Sequence, residues 1–62
     1  MSQTEEMATL EAMVKDLLEH ADTMKQHIKA HDFDTARMEA EALALYCEGT
    51  NTMANRIADR WA

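Results

Sequence analysis

Apolar residues recur along the first half of the chain with alternating gaps of three and four: Met7, Leu10, Val14, Leu17, Ala21, Met24 and Ile28. That period is the mark of a helix packed lengthwise against another helix. Met13 and Leu18 flank the row and widen it. Ser2-Gln3-Thr4-Glu5 opens the segment as a capping box, in which the Ser2 hydroxyl accepts from the Glu5 amide. Glu5 and Glu6 fall in the first turn, where the helix dipole favours acids. The pattern predicts helix 1 over about 3–30.

The period breaks at His31-Asp32-Phe33-Asp34, which predicts a turn over 31–34. Asp34 is the expected N-cap of the next helix, with Phe33 and Met38 as a hydrophobic staple around it. Helix 2, over about 35–60, carries its own row at Ala36, Ala40, Leu43, Cys47, Thr50, Ala54, Ile57 and Trp61. Gly49-Thr50-Asn51-Thr52 is its weak point and could end it, with Asn51 capping a short third helix. The row keeps phase through the glycine, so a continuous helix is preferred. A short link between two long helices makes an antiparallel hairpin. The expected fold is all-α: one domain over 1–62, an antiparallel two-helix hairpin that dimerises into a four-helix bundle.

Length sharpens the need for a partner. At 62 residues, apolar burial and chain entropy nearly cancel. Small domains close that gap with disulfides, metals or oligomers, and Cys47, the single cysteine, excludes a bridge within the chain. Met1 to Leu10 contain neither a basic segment nor an apolar run of the secretory kind. No apolar stretch approaches the roughly 20 residues of a membrane span. A cytoplasmic protein is expected.

Charge excludes one large class of partner. Formal net charge is −6, from twelve acids and six Lys and Arg. The two halves, 1–31 and 32–62, each hold six acids and three bases. Nucleic-acid binders need clustered positive charge, so neither nucleic acid nor an anionic membrane is an expected partner.

Residues that carry chemistry are sparse. His27 and His31, four apart with Asp34 near, have a metal-binding spacing. No second His, Cys or Glu cluster is spaced to complete a shell, so solvated histidines near a helix end are the preferred reading, and no metal or cofactor is expected. Cys47 lies on the inner row and is read as a core thiol. The carboxylates alternate with bases as on solvated faces, and a hairpin has little room for a pocket. No catalytic residue is assigned and no enzyme is expected.

Two resemblances attach to short features. The equal halves around Asp32-Phe33-Asp34 resemble the architecture of the Rop family, dimeric four-helix bundles that bind RNA through basic and polar residues of the first helix. Here that helix is net negative, so the resemblance implies the architecture and not the activity. Leu45-Tyr46-Cys47-Glu48-Gly49 is similar to a Leu-Tyr-x-x-Gly stretch in the small subunit of exodeoxyribonuclease VII. Leu10-Glu11-Ala12-Met13-Val14 looks like the start of that family's first helix, but the stretch between the two segments is longer than the family pattern. Neither is taken as membership.

The candidate binding surface is a second row on helix 2. Met38, Ala42, Leu45, Tyr46, Gly49 and Met53 project roughly 110° to 120° from the first row at about 100° per residue. One neighbour covers less than this combined arc. The second row is expected to make a homodimer, with Tyr46 and Met38 at its rim touching a target and Trp61 closing the bundle end as a possible hot spot. The function expected is a small, acidic, non-enzymatic regulatory or adaptor protein that binds another protein and inhibits or modulates it. The alternatives are a structural small subunit of a larger enzyme, or a His-based sensing bundle.

Twelve dispersed acids give phosphates nowhere to dock, so RNA and DNA should fail to shift in a mobility assay at physiological salt. Specific binding that survives such salt would refute this reading of the charge.

Overall fold

The computed structural model describes residues 2–61. It is a hairpin of two long helices, α1 (Gln3–Lys29) and α2 (Phe33–Trp61). Among the described residues there is no strand, and no helix is long and apolar enough to cross a membrane. The Ser2 hydroxyl accepts from the Glu5 amide at 3.2 Å, as the capping pattern requires.

The turn is tighter than expected. Asp32 N–H donates to His27 O at 2.9 Å and His31 N–H to Ile28 O at 3.0 Å, the paired bonds of a Schellman ending. His31 holds the left-handed conformation at φ 60°, a position usually given to glycine. One residue therefore reverses the chain, and α2 begins two residues early. Asp32, not Asp34, is its N-cap: the Asp32 carboxylate accepts from Thr35 N–H at 3.3 Å. The expected staple is not formed, because Phe33 lies inside the first turn, stacked on His31 at 5.8 Å. Phe33 and Met38 are both exposed.

α2 runs unbroken through Gly49. Thr50 and Thr52 turn their hydroxyls back onto the carbonyls of Tyr46 and Glu48, at 2.8 and 3.0 Å. Used in this way, the threonine side chains do not compete for the helix's amides.

On α1 the packed row lies one residue away from where hydrophobicity alone places it. On α2 the rows Glu39, Tyr46, Met53, Arg60 and Ala40, Cys47, Ala54, Trp61 are exposed to a similar degree. On α1 the facing row is Glu6, Leu10, Met13, Leu17, His20, Met24 and His27, each buried or half-buried. It shares Leu10, Leu17 and Met24 with the predicted row but replaces Met7, Val14, Ala21 and Ile28. On α2 the shared positions are Ala36, Leu43, Thr50 and Ile57, all buried or half-buried. Cross-helix contacts are then made by Glu39, Tyr46 and Arg60, each one residue before Ala40, Cys47 and Trp61 of the predicted row. Cys47, expected in the core, is exposed. Among the described residues only Ala36 of the apolar side chains and Glu6 of the polar ones are buried, and Met7, Val14, Ile28 and Trp61 are 40–48% exposed.

Gly49 has no special conformational role. A Cβ built there would meet only the Met13 methyl, at 3.8 Å, an ordinary contact. Gly49→Ala should therefore raise stability by roughly 0.5–1 kcal/mol through helix propensity, read as a higher urea midpoint with unchanged slope. A destabilised variant would mean that something approaches Gly49 more closely than α1 does.

Candidate protein-interaction surface

The contacts between the helices lie along one side of the groove. At its open end the buried Glu6 carboxylate takes Arg60 on one oxygen and the Trp61 indole N–H, at 3.1 Å, on the other. Midway, the His20 ring stacks on Tyr46 at 4.5 Å, with its Nδ1 3.5 Å from the Glu39 carboxylate. Near the turn, His27 Nδ1 stands 3.7 Å from Asp32. On α1 these residues belong to the row that replaces the predicted one. Polar and aromatic pairing therefore decides which row of α1 faces inward, where apolarity alone would choose its neighbour.

The Glu6 cluster is a tie between chain ends. Each carboxylate oxygen takes one donor from the far end of α2, and the carboxylate itself is buried. The helix dipole does not anticipate the pairing of Glu6 with Arg60. The signal for it is a second row spaced by sevens on each helix, Glu6, Met13, His20 and His27 against Glu39, Tyr46, Met53 and Arg60.

The expected interaction residues are divided by this packing. Tyr46 stacks on α1, and Gly49 lies beside Met13. Met53, in the same row, is half-buried. The expectation that α1 covers only the first row of α2 is thus corrected: α1 straddles the boundary between the two rows. Trp61 lies at the bundle end, half-exposed and bonded to Glu6. Met38 and Leu45 are 66% and 71% exposed. Leu45, Ala42 and Tyr46 together line a shallow, open apolar depression. The metal-spaced residues do not converge: His31 stacks on Phe33 and His27 faces Asp32. Among the described residues no three His, Cys, Asp or Glu side chains are grouped to hold a metal ion.

The hairpin thus has two unlike apolar surfaces. One, the open row, is Met7, Val14, Ala21 and Ile28 on α1 with Ala40, Cys47, Ala54 and Trp61 on α2, in which the three alanines are half-buried and the other five residues exposed. The other is the outer patch of Met38, Ala42 and Leu45 on α2. No protein-family model, curated protein or solved structure matches the chain.

Removing the Glu6 carboxylate strands the Trp61 indole and the Arg60 guanidinium. Glu6→Ala should cost roughly 1–3 kcal/mol in a urea melt, whereas Glu5→Ala on the exposed face should stay within about 0.5 kcal/mol. Equal effects at the two positions would remove the tie from the account of stability.

Proposed function

We propose that this chain is a small, acidic, non-enzymatic regulatory or adaptor protein, which acts as a homodimer and binds a partner protein to inhibit or modulate it. The observation that carries the reading is the apolar surface left over: among the described residues the two-helix chain buries one apolar side chain, Ala36, and leaves nine large ones exposed. Side-chain burial on this scale is too small to offset the ordering of so many residues. Association supplies the missing burial. The homodimer takes the surface spanning both helices, and the outer patch on α2 remains for the partner.

Leu45, Met38 and Ala42 with the edge of Tyr46 form that patch, beside acidic Glu39 and, by helix phase, Asp16 of α1. A leucine and a methionine two turns apart with alanine between them are suited to receive an apolar helix or strand edge. The acidic surroundings favour a partner with basic residues around its apolar anchor. A second reading, a subunit that completes a larger enzyme's helical bundle, draws on the same leftover surface and requires that the chain alone be unfolded.

The test places a photo-crosslinking residue at position 45, and separately at Ala12 on the far side of α1, in the native cell. A single partner crosslinked from position 45 and absent from position 12 is expected, and Leu45→Glu should abolish its co-purification while the purified chain stays helical. Equal crosslinking from both positions, or a partner that survives Leu45→Glu, would refute the outer patch as the binding surface. A purified chain with no helical signal would replace the regulatory reading with the subunit reading.

A further inference from the structure

We propose that a second copy of this chain covers the open row with its turn at the opposite end, α1 against α1 about Leu18 and α2 against α2 near Cys47. The inference rests on the homodimer reading above and names the face, the arrangement and the residues that choose it.

The open row runs along both helices on one side of the hairpin. The side is fixed by the contacts: Glu6, Met13 and His20 on α1 and Tyr46 and Arg60 on α2 each precede an open-row residue, while Trp61, at the end of the open row, also reaches Glu6. The following residues must then lie together on the opposite side. There the sequence sets Met7, Val14, Leu18, Ala21 and Ile28 across from Ala40, Ala44, Cys47, Ala54 and Ala58. The row itself carries no charged side chain, and the charges beside it are Glu11, Lys25 and Arg37, although 29% of the chain is charged. Large residues on α1 and small ones on α2 let four helices fill one core in mixed layers.

The dimensions fit a two-fold pair. A face of about 44 × 15 Å offers roughly 650 Å² to a flat neighbour, so a pair would cover on the order of 1,300 Å², within the range of stable interfaces.

Charge then selects between the two ways of stacking one hairpin on another. The flank beside the open row carries Glu11, Leu18 and Lys25 on α1, spaced by sevens, and Arg37, Ala44, Asn51 and Ala58 on α2. With turns at opposite ends, α1 crosses its copy antiparallel about Leu18, and Glu11 of each chain meets Lys25 of the other. With turns at the same end, α1 lies on the copy's α2, and Lys25 comes level with Arg37. The first arrangement makes two opposite-charge pairs and the second two like-charge pairs. Glu11 and Lys25 lie fourteen residues apart in sequence, about 21 Å along the helix, so they cannot pair within one chain. Among the described residues neither has an ion-pair partner.

The test is a charge swap read by analytical ultracentrifugation at low salt. Glu11→Lys and Lys25→Glu, both at exposed positions, should each weaken the dimer on the order of tenfold in Kd, and the double variant should restore it. Circular dichroism at high concentration checks that every variant keeps its helix. As an independent readout, Cys47 should be slow to alkylate in the dimer and faster after about a hundredfold dilution. A dimeric wild type whose double variant is no better than the singles would overturn this arrangement and leave the homodimer standing. So would a dimer whose Cys47 reacts at one rate at all concentrations. A wild type that is monomeric and folded would overturn the homodimer as well.

Discussion

The constraint on which this molecule turns is that each helix has an apolar arc wider than one neighbour can cover. On α1 and α2 alike, a shared row of Leu10, Leu17 and Met24 or Ala36, Leu43, Thr50 and Ile57 lies between two competing rows. One is more apolar; the other can make specific cross-helix pairs. α1 turns only one of them inward, whereas on α2 the two are exposed alike. The cross-helix pairs are made by Glu6, His20, Tyr46 and Arg60, because a buried carboxylate with two donors and a stacked imidazole–phenol pair gain orientation-specific energy. Apolar side chains, being non-directional, lose less by waiting for another surface.

That choice explains how so regular a sequence yields so thin a core. Almost every predicted core position is present and helical, yet Met7, Val14, Ile28 and Cys47 stay in reach of solvent. Helix geometry is not at fault, since α2 continues through Gly49 without distortion. The deficit is one of neighbours. Two cylinders in contact leave open the sector between them, and in a four-helix arrangement that sector is the centre of the core.

Much of the fold was legible in the sequence, and the failures have a common origin. Both helices, the Ser2 cap and the helix running through Gly49 follow from periodicity and capping chemistry. The turn was misplaced because His31 adopts a conformation that composition assigns to glycine, which moves the cap from Asp34 to Asp32. Cys47 was misplaced because hydrophobicity ranks it above Tyr46, while the histidine across the groove reverses the order. In both cases a pairwise or backbone-specific interaction outweighed an average preference. Of the expected interaction residues, Met38 and Leu45 are open, Ala42 lies beside them, and Tyr46, Gly49 and Met53 are divided between the patch and the groove.

The same division separates the surfaces by their chemistry. Beside its apolar row the groove holds matched polar and aromatic pairs, Glu6 with Arg60 and Trp61 and His20 with Tyr46, which specify how one chain folds on itself. The open row is long and uncharged, which suits a surface of the same character and makes little distinction among side chains. Leu45 and Met38 lie beyond both, on the outer face of α2. Closing a four-helix core draws in the open row and leaves the outer face where it was. The proposed self-association and the proposed partner binding therefore need not compete for the same residues, and a chain of this size has room for both surfaces because its helices, at 27 and 29 residues, are long for their number.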